Sequence, residues 1–111
     1  MAVTPKVLFH GVAAGTATTT NYVATNCKTI IDKFTGANYG GSTVSLSVYI
    51  VQTGSAAGNT NAVSVLKSLA ISETYTFPEV VGQILEAGGQ IVTVASAQTS
   101  ISIRSSGREV T

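Results

Sequence analysis

The stretch from Thr43 to Val51 constrains the fold of this chain more than any other. From position 43 to position 50 the even-numbered residues are Val, Leu, Val and Ile, and the odd-numbered ones are Thr, Ser, Ser and Tyr. Strict alternation is the period of a half-buried β-strand, whereas a helix would distribute these side chains around its circumference. The pattern therefore predicts a strand that places Leu46 in a core and Ser47 on the opposite, solvent-facing side.

The rest of the chain contains short segments of the same kind, separated by Gly-, Ser- and Asn-rich turns. About eight strands at spacings of roughly 8 to 12 residues indicate an all-β fold, a single antiparallel β-sandwich of jelly-roll or Ig-like form. We find no internal repeat or linker, so residues 1–111 are expected to form one domain. Ile30 and Ile31 are adjacent, so their strand is either buried on both faces or carries a bulge. The predicted core is Val44, Leu46, Val48, Ile50, Val63, Val65, Ile101 and Ile103.

Several segments depart from regular alternation. The first strand is expected to be short, at Lys6–Phe9. A bulge or bend is expected near Leu66-Lys67, in the strand marked by Val63, Val65, Leu69 and Ile71. Residues 36–42 and 52–61 are rich in Gly, Ser, Ala and Asn and are interpreted as loops. Residues 80–85 have apolar side chains at helical spacing but are interrupted by a glycine, so one helical turn and a short edge strand both fit.

Charge excludes several classes of function. Only 10% of the residues are charged and the net charge is +1, against roughly 25% charged residues in typical soluble domains. This balance gives no electrostatic basis for binding nucleic acid or an anionic membrane. No apolar run reaches the roughly 20 residues that span a bilayer, and the N-terminus lacks the pattern of a signal peptide. The single cysteine cannot form an internal disulfide, so we expect a soluble protein made in the cytoplasm.

No motif for catalysis or metal binding stands out. His10 and Cys27 are the only histidine and the only cysteine, and neither has a distinguished partner in the sequence. The five acidic residues are scattered, so no paired-carboxylate site is indicated. We therefore predict no enzymatic activity, no metal and no cofactor, with His10 and Cys27 dispensable for function. Exposed tyrosines bind sugars in some small sandwiches, and Tyr39, in a Gly-rich loop, is the most suggestive candidate here, although packing explains the tyrosines at least as well.

The chain resembles a family of small virion proteins of tailed bacteriophages. The resemblance covers most of the chain and is carried by strand-and-turn motifs at corresponding places. These motifs are Thr25-Asn-Cys27, Val44 to Val51, Glu73 to Pro78, Leu85 to Gly88 and Ser106 to Val110. The resemblance implies a β-sandwich of the capsid-decoration or cement type without enzymatic activity, located in the virion.

The expected function is that of a decoration protein that staples neighbouring coat subunits. The alternative is a binding or adhesion module on a tail or fibre, with carbohydrate as one ligand. The expected partner is the major capsid protein or another virion protein, and the chain is expected to form a homo-oligomer on the particle. Because few charges are available, we predict binding through shape and backbone pairing, with the chain termini as free arms. The predicted partner-binding residues are Met1, Ala2, Val3, Thr4, Tyr39, Arg108, Glu109, Val110 and Thr111.

Overall fold

The structure, a computed structural model, describes residues 2–111. This part of the chain contains nine β-strands, one turn of 3-10 helix (Asn59–Asn61) and no α-helix. The all-β prediction is therefore confirmed. The strands are β1 (Val3–Ala13), β2 (Thr19–Val23), β3 (Lys28–Asn38), β4 (Val44–Val51), β5 (Ala62–Leu69), β6 (Thr74–Thr76), β7 (Ile84–Leu85), β8 (Gln90–Ala95) and β9 (Ile101–Val110).

The strands form two antiparallel sheets. Sheet 1 has the order β1-β9-β3-β6, with β7 also paired to β3, and sheet 2 has the order β2-β8-β4-β5. The pairings are nested, since β1 pairs with β9, β2 with β8, β3 with β6 and β7, and β4 with β5. The chain is thus arranged as one long hairpin that is folded over, so that successive strand pairs lie in alternate sheets. The pairs β1–β9 and β3–β6 are in sheet 1, and the pairs β2–β8 and β4–β5 are in sheet 2. This is the strand order of a jelly roll, which decides between the two sandwich forms that the sequence left open.

The core lies between the two sheets and is centred on β4. Val44, Leu46 and Val48 are at most 2% exposed, as the alternation predicted. Sheet 1 contributes aromatic rings, because Phe34 makes edge-to-face contacts with Phe9 and Phe77 at centroid distances of 5.8 and 5.2 Å. Of the eight predicted core residues, six are buried and a seventh is half-buried against the core.

The eighth predicted core residue, Val65, is a wrong prediction, because it is 63% exposed. In the pairing of β5 with β4, Val65 and Leu66 together oppose Ser47, which is a β-bulge. Leu66 has a φ of +49° and its N–H donates to Ser47 Oγ at 2.9 Å. The bend expected near Leu66 is therefore present. Because of the bulge, Val65 points to solvent, and Ser47, expected outside, is 3% exposed.

Other segment predictions also need correction. Strand β1 extends well beyond the expected Lys6–Phe9, and β3 runs to Asn38, so the first three residues of the expected loop 36–42 belong to a strand. Residues 80–85 form a turn followed by the short strand β7, so the helical alternative is wrong and the strand alternative is right. The expected loop 52–61 ends in the 3-10 turn, where Asn61 Oδ1 accepts the N–H of Gly58 at 3.0 Å.

Candidate partner-binding sites

The chain ends are paired with each other and are not free arms. The N–H of Ala2 donates to the carbonyl of Thr111 at 3.0 Å, and the N–H of Thr111 donates back at 2.9 Å. Val3 then pairs with Val110, and Val110 pairs on its other side with Lys28 of β3. The terminal segments are therefore strands and not free arms. Residues 108–110 of β9 are paired on both sides, whereas residues 3–4 belong to β1, which is an edge strand of sheet 1 and is paired on one side only. Met1 lies outside the described residues.

Two of the predicted contact residues in β9 make intramolecular contacts. The guanidinium of Arg108 binds both carboxylate oxygens of Asp32 at 2.9 to 3.3 Å, which raises the pKa of Arg108. The carboxylate of Glu109 accepts a hydrogen bond from Lys6 Nζ at 3.1 Å. The exposed side chain of Val3 remains on the outer face at this end. Arg108 therefore joins β9 to β3 and Glu109 joins β9 to β1 within the chain itself.

Glu109 is also part of a partly buried polar network that joins the two sheets. The hydroxyl of Tyr22, in β2, donates to Glu109 Oε2 at 2.5 Å and accepts from Thr29 Oγ1 at 2.8 Å. Tyr22 is 8% exposed and Thr29 is fully buried. Burial, together with the bond to Glu109, raises the pKa of Tyr22, whereas the bonds from Tyr22 and from Lys6 lower the pKa of Glu109. The network favours the ionised form of Glu109.

This network predicts a loss of stability at acid pH. Because the pKa of Glu109 is lower in the folded chain than its ordinary value of 4.5, its contribution is complete above that value and is lost as the pH falls through the folded pKa. In Glu109→Gln, the free energy of unfolding should be lower at pH 7 and should fall less between pH ~5 and ~2 than in the parent chain. Urea denaturation across this range measures both effects. Parallel pH curves for the two proteins would contradict the assignment.

The opposite end of the sandwich is organised by one buried amide. Asn38, at the end of β3, is 2% exposed, and its Nδ2 donates to the carbonyls of Ser42 and Leu69 at 2.8 and 2.9 Å. Its Oδ1 accepts the N–H of Gly40 at 2.9 Å. Its backbone N–H and carbonyl bond the 70–73 turn as well. All polar groups of Asn38 are thereby used to fix the two loops that follow β3 and β5.

These fixed loops hold apolar side chains in solvent. Tyr39 directly follows Asn38 and is 58% exposed, and Ile71 lies in the 70–73 turn and is 56% exposed. Leu66 and Val65 are 66% and 63% exposed on β5, which is an edge strand of sheet 2 and leads into the 70–73 turn. We refer to Tyr39, Val65, Leu66 and Ile71 together as the apolar edge. Only Tyr39 was predicted as a contact residue. The others were missed because alternation assigned Val65 to the core and gave no reason to expose Leu66 or Ile71.

The predicted contact residues therefore divide into two groups. Tyr39 lies beyond the end of β3 that pairs with Ile101, whereas the terminal residues surround Val110 at the other end of β9. Ten residues of strand separate these positions by about 30 Å. One small ligand cannot contact both groups, so the termini and Tyr39 do not form a single site.

The two residues tested for chemistry in the sequence lie in different environments. Cys27 is buried, with its Sγ 3.7 Å from Thr29 Oγ1, whereas His10 is exposed on β1. Among residues 2–111, no three His, Cys, Asp or Glu side chains are grouped so as to hold a metal ion. The described residues also include no helix of the length and hydropathy needed to cross a membrane.

Comparisons with protein-family models, with curated proteins and with solved structures found no match for this chain.

Proposed function

We propose that this protein is a non-enzymatic structural component of a phage virion, a decoration protein that binds the capsid and staples neighbouring coat subunits. The proposal joins the resemblance in sequence to the surface described above. The partner is then the major capsid protein or another virion protein, and several copies occupy each particle. Jelly rolls occur both in viral capsid proteins and in lectins, so the fold alone does not decide the function.

The observation that carries the proposal is the apolar edge. Each of its four side chains is more than half exposed, and large apolar side chains that face solvent are available for contact with a partner. Here Tyr39 and Ile71 are held by loops whose backbone is fixed by Asn38, so little order has to be gained on binding. Leu66 occupies a backbone conformation that is unfavourable for a leucine. A large apolar side chain on such a bulge is best explained by a contact that it makes.

A tail- or fibre-associated module that binds carbohydrate is the second candidate. It is favoured by Tyr39, because an exposed ring on a fixed loop is suited to stacking against a sugar. The other three tyrosines are buried or half-buried, so Tyr39 has no exposed tyrosine beside it. We therefore rank this function below the structural one.

The apolar edge predicts a specific loss of particle binding. In Leu66→Asn/Ile71→Ser, the affinity for undecorated particles should fall at least about tenfold, since each buried aliphatic side chain contributes roughly 1.5 to 3 kcal/mol. Asn tolerates positive φ better than Leu, so the fold should be retained. The measurement is co-sedimentation with particles that lack this chain, with Val81→Asn, an exposed apolar residue outside the apolar edge, as the matched control. Equal losses in the two variants would contradict this assignment.

Salt and copy number separate the remaining alternatives. Apolar contacts persist at about 1 M NaCl, where the Debye length is about 3 Å, so most of the binding should survive there. Quantitative mass spectrometry of purified heads and tails gives the copy number and position. Hundreds of copies on heads support a decoration protein. A few copies on tails support the second candidate. The second candidate is also supported if free sugars compete with binding and Tyr39→Ala abolishes it.

A further inference from the structure

The outer face of sheet 1 contains a cleft of about 470 Å³ that the proposed function does not use. It lies over β9 where this strand runs between β1 and β3. Its lining combines one aliphatic residue, three hydroxyl residues and three basic residues. These residues are Val7, His10, Lys33, Thr35, Arg104, Ser105 and Ser106.

The cleft lies where both neighbours of β9 are bulged. In β1 the register shifts between Val7 and Phe9 and again between Phe9 and Val12, a stretch that includes Gly11 at a φ of +59°. In β3 it shifts between Ile31 and Lys33. Bulges bend a strand and redirect side chains, so His10 and Lys33 both reach the outer face here.

The bulge in β3 is itself stabilised by a side chain. Ser105 is fully buried and its hydroxyl donates to the carbonyl of Lys33 at 2.7 Å. Asp32 and Lys33 are both exposed, although strict alternation would turn one of them into the core. The position of the Lys33 ammonium on this face is therefore built into the strand.

The charges in the cleft are uncompensated. Elsewhere each cation has a partner, since Lys6 pairs with Glu109, Lys28 with Glu86 and Arg108 with Asp32, and Lys67 lies 4.4 Å from the centre of the Tyr75 ring. Within residues 2–111, no carboxylate lies within 4.0 Å of Lys33 or Arg104. The adjacent carboxylate, that of Asp32, is already bound on both oxygens by Arg108. Two positive charges thus share one concave site in a chain that has few charges.

We propose that this cleft binds a carboxylate side chain from an acidic segment of a partner protein. Arginine binds carboxylate in a planar, two-point geometry, and Lys33 with the hydroxyls of Thr35 and Ser106 offers further donors. The lining includes no Phe, Tyr or Trp side chain, so the large aromatic ring against which a sugar would stack is missing here. Two cations in a chain of net charge +1 do not form the extended basic surface that a nucleic-acid backbone requires.

Identification of the partner as a coat subunit rests on the proposed function, whereas carboxylate binding by the isolated chain does not. The cleft and the apolar edge would then contribute separately to one attachment. The cleft contribution depends on charge and is screened by salt. Salt does not screen the contribution of the apolar edge, so the contributions of the cleft and of the apolar edge are distinguishable by experiment.

The first test uses the isolated chain and short peptides. We expect the blocked peptide Ac-Gly-Glu-Gly-Glu-Gly-amide to shift the backbone amide resonances of Lys33, Thr35 and Arg104 in a ¹⁵N-labelled sample, and its Gln counterpart not to. Arg104→Gln should weaken binding about tenfold, since a charge-assisted hydrogen bond contributes about 1.5 kcal/mol. Lys33→Gln/Arg104→Gln should abolish the difference between the peptides, whereas the charge-matched Lys28→Gln/Lys67→Gln should preserve it.

Each other outcome of the peptide test overturns the proposal. Equal binding of the Glu and Gln peptides would remove the charge requirement. Tighter binding of inorganic phosphate or of glucuronate than of the Glu peptide would assign the cleft to a different ligand. Shifts confined to residues outside the cleft would place the carboxylate elsewhere.

A second test uses whole particles. At about 0.1 M NaCl, Lys33→Gln/Arg104→Gln should bind undecorated particles more weakly than the parent chain, and at about 1 M NaCl the two should bind equally. If no form of the chain binds particles, the proposed function fails while the peptide result stands. If the variant binds like the parent chain at both salt concentrations, the cleft is not part of the attachment.

Discussion

Replacing Gly107 with Ala is expected to lower the free energy of unfolding by about 3 kcal/mol or more, because the added methyl group has no space. Gly107 lies in β9 opposite Ile31, next to the β3 bulge. A Cβ at this position would overlap the carbonyl oxygen of Ile30 and would lie 3.3 Å from Ile31 Cα. These are backbone atoms in the central strand pair of sheet 1, so no side chain can rotate away to relieve the overlap. Single domains are stable by roughly 5 to 15 kcal/mol, so this is a large share.

Gly41→Ala provides the matched control for this change. A Cβ at Gly41 would meet no atom within 4 Å, and the residue does not have positive φ. Its effect should stay within about 0.5 kcal/mol. Chemical denaturation of both variants measures the difference, and a Gly107→Ala protein as stable as Gly41→Ala would show that β3 and β9 do not approach each other as described.

Alternation predicted the strands whose faces differ most in polarity. Leu46 and Val48 are buried as expected because both strands beside β4 pair with it and the sheet above covers one face. The sandwich follows from such segments and from their spacing. The choice between jelly-roll and Ig-like order did not follow, because it depends on long-range pairings such as β1 with β9, which leave no local pattern in either strand.

The bulge in β5 accounts for the errors at Val65 and Ser47. A bulge adds one residue to one strand, which reverses the face of every residue beyond it. A bend was expected at Leu66, yet its effect on Val65 and Ser47 depends on which residue of β4 lies opposite. The position of the bulge within its strand is a property of the pair, and one sequence read alone does not contain it.

The candidate sites were hardest to predict because they too depend on which strands pair. The cleft brings together His10, Lys33 and Arg104, which are distant in sequence and carry no shared motif. The termini were interpreted as arms because Arg108 to Thr111 follow the last alternating residues. In the structure Arg108 to Val110 continue β9, which is possible because β1 extends back to Val3 and pairs with them.

The last prediction returns to β4 and tests the core directly. Leu46→Ala should cost about 2 to 5 kcal/mol, because Leu46 is fully buried and a cavity adds to the lost transfer free energy. Ser45→Ala, next to it on the opposite face and half-exposed, should change stability by about 0.5 kcal/mol or less. Ser47→Ala, which alternation alone would rank with Ser45→Ala, should cost about 1 kcal/mol because the N–H of Leu66 loses its acceptor. Urea denaturation of the three variants should therefore rank them Leu46, Ser47, Ser45. If Leu46→Ala were as stable as Ser45→Ala, the assignment of Leu46 to the core face of β4 would be wrong. If Ser47→Ala and Ser45→Ala were equally stable, the hydrogen bond between Ser47 and the bulge at Leu66 would be contradicted.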